Sequence, residues 1–112
     1  MSPGKIEAMP RLVLPPSMTP EVSRAHEILG NRARTTILRF IALNGPSSVN
    51  ELAEELQAHR EAVYVHTRLL EQMGLISATF REGGVHNATY WRLHTDKIKE
   101  LQQVLIDYID AK

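Results

Sequence analysis

Residues 48–76, SVNELAEELQAHREAVYVHTRLLEQMGLI, contain two helical patterns separated by a short interruption. The first pattern opens with a capping box, in which Ser48 and Glu51 can satisfy each other's backbone N–H groups. The second pattern runs from about residue 60 to residue 73, and Gly74 stands where a glycine ends a helix. A short helix joined by a tight turn to a longer one is a helix-turn-helix, so this stretch predicts that motif.

The sequence on either side predicts three further helices. Thr19-Pro20-Glu21 has the hydroxyl cap, first-turn proline and acidic residue of a helix start. That helix is expected to end near Gly30, and the next is expected over about residues 31–43. A terminal helix is expected over about residues 95–111, with Thr95-Asp96 as its cap.

Two β-prone runs follow the helix-turn-helix. They cover residues 76–81 and 88–93 and surround a Gly-containing loop, which predicts a β-hairpin with a projecting tip. The expected fold is therefore mainly α (α+β): a winged helix-turn-helix of about five helices and a two-stranded hairpin wing. Five of the six prolines lie in the first 20 residues, so residues 1–18 are expected to form an extended arm and residues 19–112 the domain.

Composition limits the function classes. The chain has 112 residues, 43% hydrophobic and 23% charged, as in one ordinary globular domain. Having no cysteine, it has no thiol nucleophile and no Cys-ligated zinc. It has no long apolar run or signal peptide, so we expect no membrane partner and a cytoplasmic location. Thirteen basic residues balance 13 acidic ones, which is mild evidence against a nucleic-acid binder, although residues 59–92 carry four Arg against three Glu.

The motifs over about residues 29–93 resemble, in order and spacing, the winged helix-turn-helix transcriptional regulators of the ArsR-like class and, more loosely, the MarR-like class. VNELAEEL at 49–56 is similar to the family's positioning helix, and Tyr90-Trp91-Arg92-Leu93 is similar to the end of its second wing strand. His59 is a weaker cap than the Ser or Thr usual there, and Thr67 stands where a core Leu is common. The cysteine pair of metal-sensing members is absent, so no metal or cofactor is expected and any effector is unknown.

The resemblance implies that the second helix of the motif reads duplex DNA. Such a helix lies in the major groove, where the exposed side chains of its N-terminal half reach base edges. We expect Arg60 to contact guanine, Glu61 to accept from cytosine and Arg68 to reach a phosphate. The expected contacts of this recognition helix are His59, Arg60, Glu61, Tyr64, Val65 and Arg68.

The resemblance also implies contacts outside the recognition helix. We expect the wing to follow the DNA backbone or to enter the minor groove, and the free N–H groups of the positioning helix to bind phosphate. Arg34 is expected to form an internal salt bridge. The expected wing and backbone contacts are Arg81, His86, Asn87, Ser47, Ser48 and Arg32. The terminal helix has more apolar surface than its own core needs, so it is expected to form a dimer through Ile98, Leu101, Leu105, Tyr108 and Ile109.

The expected function is that of a homodimeric, sequence-specific, duplex DNA-binding transcriptional regulator, in the simplest case a repressor. A phage or plasmid accessory factor for partition or recombination is one alternative, and a winged helix that binds protein is another. A metal sensor would have to use His94, Asp96, Asp107 and Asp110, which lack the spacing of a convincing site. An enzyme is not expected, because the chain has no nucleophile elbow and no HExxH motif.

Overall fold

The computed structural model describes residues 15–112. Most of the predicted arm therefore lies outside the described residues, and its last part forms a turn in which Met18 N–H donates to the Pro15 carbonyl at 2.9 Å. Five helices and three strands follow in the order α1 (Pro20–Leu29), α2 (Arg32–Asn44), β1 (Ser47–Ser48), α3 (Val49–Leu56), α4 (Arg60–Gln72), β2 (Ile76–Thr79), β3 (Tyr90–Leu93) and α5 (Thr95–Ile109).

Two helices start at their predicted caps: Thr19 accepts from Val22 N–H at 3.2 Å, and both bonds of the capping box at Ser48 are present. Asn31, predicted as the first residue of the second helix, is its N-cap and accepts from Arg34 N–H at 3.0 Å. The predicted Thr95-Asp96 cap of α5 is wrong. Helical bonding already begins at His94, whose carbonyl accepts from Ile98 N–H at 3.1 Å, so Thr95 lies inside the helix.

The turn of the helix-turn-helix is made without glycine. Gln57 ends α3 with a left-handed backbone (φ 53°), a conformation that residues other than glycine adopt uncommonly. Its N–H bonds back to α3 carbonyls, and His59 becomes the N-cap of α4 without a side-chain hydrogen bond. Three residues thus separate the two helices, as the tight turn requires.

The sheet has one more strand than the predicted hairpin. The strand order is β1-β3-β2 and both pairings are antiparallel, with Ser47 opposite Trp91 and Thr79 opposite Tyr90. The two-residue strand β1 was not expected, because two serines after a Gly-Pro turn carry neither alternation nor β-prone side chains. It attaches the start of α3 directly to the wing strand β3.

One hydrophobic core anchors the helix-turn-helix. Ile37 of α2, Leu52 of α3, Val63 and Leu70 of α4 and Ile76 of β2 are almost completely buried and belong to a single cluster. Helix α5 packs mainly beside α1 and contains no fully buried residue. Within the part of the chain that the structure describes, no helix has both the length and the apolar character that a membrane crossing needs.

Candidate nucleic-acid interface

Helix α4 has one buried face and one open face. Val63, Thr67 and Leu70 are buried, and the Thr67 hydroxyl, where a leucine is common, donates to the Tyr64 carbonyl at 3.3 Å. All the predicted contacts of the recognition helix are solvent-exposed, at His59, Arg60, Glu61, Tyr64, Val65 and Arg68. Val65 is 60% exposed although it is β-branched and apolar, so this face offers contact area as well as charge.

Two arginines on this open face have no acidic partner among residues 15–112. Within that range, ion pairs join only Arg81 to Glu51 and Lys97 to Glu100. Arg60 donates through Nη2 to the Tyr64 hydroxyl at 3.1 Å, and its Cζ lies 5.7 Å from the centre of the Tyr64 ring. This contact across one helical turn orients the Arg60 guanidinium on the exposed face.

The wing arginine is in a different situation. Arg81 donates from Nη1 to the Glu51 carboxylate at 2.9 Å and to the Pro46 carbonyl at 3.2 Å. Its Nη2 donates to the Tyr90 hydroxyl at 3.3 Å, and its Cζ lies 4.1 Å from the centre of the Tyr90 ring. The hydrogen bond from Arg81 lowers the pKa of Glu51, and the same bond raises the pKa of Arg81. We call Arg81, Glu51 and Tyr90 the wing clasp.

The wing loop presents two predicted residues and two that sequence reasoning missed. His86 and Asn87 are exposed, and Asn87 has a left-handed backbone (φ 67°). Phe80 and Val85 are 81% and 72% exposed. Residues 76–81 were predicted as one β-prone run, but β2 ends at Thr79, so Phe80 lies beyond the strand.

The predicted phosphate contacts at the start of α3 are already engaged inside the protein. Ser47 is 1% exposed and its hydroxyl donates to the Gly45 carbonyl at 2.8 Å. Ser48 is 9% exposed, and its hydroxyl accepts from Glu51 N–H at 3.2 Å. The Ser48 N–H donates to the Glu51 carboxylate at 2.9 Å, so a side chain already occupies this helix start. We do not include either serine in the proposed interface.

Two arginines of α2 differ in their surroundings. Arg32 is exposed, as a backbone contact requires. The salt bridge expected for Arg34 is wrong: its Nη1 donates instead to the main-chain carbonyl of Glu27, in the last turn of α1, at 3.0 Å. Burial, and next the charge of Arg34, lower the pKa of His66 on α4. Nδ1 of His66 is buried without a hydrogen-bond partner among the described residues.

The predicted dimer residues differ in how far they are exposed. Ile98 and Leu101 are partly buried and pack against the protein's own core. Leu105 and Tyr108 are half-buried, and the Tyr108 hydroxyl lies 3.0 Å from that of Ser17. Ile109 is 77% exposed, and neighbouring Ile106, which was not predicted, is 47% exposed. The open apolar surface is therefore at the C-terminal end of α5.

The residues considered for a metal site do not come together. His94 bonds through Nε2 to the Ser77 hydroxyl at 2.8 Å. Among residues 15–112, no three His, Asp or Glu side chains cluster as metal ligands would.

Residues 31–78, from the cap of α2 to β2, match the family model described as bacterial regulatory protein, arsR family. The ArsR resemblance is confirmed. Among curated proteins none matches the chain. The ArsR family model does not cover α1, β3 or α5. The similarity to solved structures extends over these elements as well.

Several solved structures have the same fold as this ArsR-like chain. A crystal structure of a "possible transcriptional regulator for arsenical resistance" has a TM-score of 0.64 at 23% identity, covering 75% of this chain and 82% of that one. A homodimeric winged helix-turn-helix DNA-binding domain from Mycobacterium bovis has a TM-score of 0.58 at 19% identity, covering 100% and 94%. The antimony-specific repressor AntR has a TM-score of 0.58 at 22% identity, covering 89% and 96%. The chain is a winged helix-turn-helix with the fold of ArsR-family transcriptional regulators.

Proposed function

We propose that this protein is a transcriptional regulator that binds duplex DNA sequence-specifically as a homodimer. The observation that carries the proposal is the two-sided character of α4. Its inner face is fixed in the core through Val63 and Leu70, while its outer face holds Arg60 and Arg68 with no acidic partner among the described residues. A helix whose exposed guanidinium groups have no acidic partner is suited to the major groove.

The proposed contacts follow from where each side chain lies. We propose that Arg60, near the N-terminus of α4, bonds the major-groove edge of guanine and that Arg68, two turns later, contacts a phosphate. His59, Glu61, Tyr64 and Val65 complete the reading face. His86 and Asn87 of the wing and Arg32 of α2 supply backbone contacts, which fix orientation but do not read sequence.

We propose repression by occupancy as the mechanism. A dimer would place its two recognition helices in successive major grooves, at half-sites whose centres are about one helical turn apart. While bound, it would exclude other proteins from that stretch of DNA. A relative with the same fold, AntR, is described as a transcriptional repressor, which supports this sign of regulation. The proposed partner also implies a cytoplasmic location.

The proposed dimer uses the C-terminal end of α5. Ile106 and Ile109 form exposed apolar surface there, and the Mycobacterium bovis domain of the same fold is homodimeric. Replacing Ile109 by Asp should convert the dimer to a monomer, because a charge would be buried without a partner. Ile109 is largely exposed in the single chain, so the variant should keep its fold. Sedimentation velocity measures the change, and a dimer that persists would place the interface elsewhere.

The experiment that tests DNA binding is a fluorescence anisotropy titration of the protein onto a labelled random-sequence duplex at about 50–300 mM salt. Counterion release makes affinity fall with salt, and three phosphate contacts alone predict about a sixfold loss for each doubling of the salt concentration. Selection from the bound pool would then give the operator. A folded dimer that does not bind at the lowest salt would contradict the proposal and favour a winged helix that binds protein.

The same titration addresses the accessory-factor alternative. A repressor occupies one dimer site, so its stoichiometry saturates at one dimer on a selected site of about 20–25 base pairs. A partition or recombination factor would instead coat a longer duplex carrying tandem copies of the site. Sedimentation of the complexes distinguishes the two.

A further inference from the structure

The wing clasp joins two parts of the proposed interface that are far apart in sequence. Arg81 follows β2, whereas Glu51 lies in the first turn of α3, 30 residues earlier. Both terminal nitrogens of the Arg81 guanidinium are engaged, Nη1 by Glu51 and Pro46 and Nη2 by Tyr90. Its Cζ also lies over the Tyr90 ring, 4.1 Å from the ring centre. Arginine makes such planar, forked contacts and lysine does not.

Glu51 connects the clasp to the helix-turn-helix. The same oxygen, Oε1, accepts from Arg81 Nη1 and from the Ser48 N–H, each at 2.9 Å. The capping box that starts α3 and the ion pair that holds the wing therefore share one carboxylate atom. One side chain thus holds both the wing and the start of α3.

Tyr90 connects the clasp to the wing turn. Its hydroxyl accepts from the Val85 N–H at 2.7 Å, and its ring lies against Gly84, where a Cβ would come within 2.7 Å of the ring. Tyr90 is only 3% exposed, and it pairs with Ser48 in the sheet. A continuous set of contacts thus runs from the first turn of α3 through Arg81 and Tyr90 to the loop that carries His86 and Asn87.

We infer that Arg81 is a positioning residue of the wing and not a DNA contact. It holds the wing against α3, and so sets the distance between the reading face of α4 and the backbone contacts His86 and Asn87. This inference rests on the proposed function. It changes the role expected for Arg81, whose charge is already neutralised by Glu51 in the free protein.

The substitution Glu51→Gln should change DNA affinity in opposite directions for the two possible roles of Arg81, a phosphate contact or a positioning residue. If Arg81 contacts phosphate, removing the carboxylate frees its guanidinium and removes a negative charge, so DNA binding becomes tighter. If Arg81 positions the wing, the loosened wing makes binding weaker by about two- to fivefold, the size expected when a partly exposed ion pair is lost. Gln also completes a capping box, so the start of α3 should be kept.

Matched controls are available on the same helix. Glu54 and Glu55 are exposed and take no part in the clasp. Glu54→Gln and Glu55→Gln remove the same charge and should leave DNA binding unchanged or slightly tighter. Weaker binding by Glu51→Gln alone supports the inference, whereas binding tighter than that of both controls overturns it.

Arg81→Lys gives a second, independent readout. Lysine keeps the positive charge but cannot make the fork to Glu51, Pro46 and Tyr90. A positioning role predicts that Arg81→Lys weakens binding about as much as Glu51→Gln, and that the double variant is no weaker than either single one. Near-normal binding by Arg81→Lys would show that charge alone matters and would overturn the inference.

Amide hydrogen exchange in the free protein separates this inference from the proposed function. The hydrogen-bonded N–H groups of Gly84, Val85 and Ala88 should exchange several-fold faster in Glu51→Gln and Arg81→Lys than in the wild type or in Glu54→Gln, because the wing opens more often. Unchanged exchange would overturn the inference whatever the protein binds. Failure of the wild type to bind DNA would instead overturn the proposed function, while the exchange data still report whether the clasp holds the wing.

Discussion

The arginines of α4 and the arginine of the wing look alike in the sequence and differ in the structure. Arg60 and Arg68 are exposed, with no acidic partner among the described residues, while Arg81 is held between Glu51 and Tyr90. The difference arises because α4 points its outer face away from every other element, whereas the wing strand is paired to β1 and so lies beside α3. An arginine side chain of this fold is therefore open to an anionic ligand where no carboxylate of the protein already pairs with it.

The largest effect is expected at Arg60, which has no acidic partner among the described residues. Arg60→Ala should cost about 1–3 kcal/mol of binding free energy on a selected operator and should relax base preference at one position. Anisotropy on the operator and on a scrambled duplex measures both effects. Arg24→Ala, an exposed arginine of α1, is the matched control and should change neither. Equal losses on both duplexes would mean that Arg60 binds backbone and reads no base.

A weaker effect is expected from the wing turn. Gly84→Ala places a Cβ about 2.7 Å from the buried Tyr90 ring, so the ring or the loop must shift. We expect a loss of about 1 kcal/mol in unfolding free energy, at the low end for overpacking because the loop can yield. Urea unfolding measures it, and Ala88→Ser in the exposed part of the same loop is the control. Unchanged stability would mean that the wing turn does not depend on Tyr90.

The helices could be predicted from sequence because their determinants are local. The Thr19, Asn31 and Ser48 caps and the Gly74 stop act within a few residues, and each helix start is correct to about one residue, although the cap of α5 is His94 and not Thr95. The open face of α4 follows from the same local periodicity.

The features that escaped prediction depend on contacts between distant residues. Strand β1 exists because β3 pairs with it, and Arg81 is engaged because Glu51, 30 residues earlier, lies beside it. Ser47 and Ser48 were predicted to be available as helix-start residues, but the same pairing buries them. A sequence shows the type and charge of each residue, but the neighbour that neutralises a charge depends on the tertiary structure.

The smallest predicted effect is a pH dependence at the inner edge of α4. Burial, and next the charge of Arg34, lower the pKa of His66 below its ordinary value of 6.5. The folded state therefore binds a proton at this ring less readily than the unfolded chain does, so stability falls as the pH drops below about 6.5 and levels off once the folded ring is protonated. The pKa of Glu51 is also lowered, chiefly by the hydrogen bond from Arg81, so its protonation likewise reduces stability, but only as the pH falls below about 4.5, where the wing clasp weakens.

Urea midpoints at pH 7.5 and pH 5 separate these two contributions. The window of His66 begins below about 6.5, within this interval, whereas the window of Glu51 lies below about 4.5, outside it. His66→Gln should reduce the difference between the two midpoints, and His26→Gln, an exposed histidine of α1, should leave it unchanged. A difference that survives His66→Gln would assign the pH dependence to another group. If His66→Gln also left DNA affinity unchanged at both pH values, the inner edge of α4 would act on folding alone and its open face on binding alone.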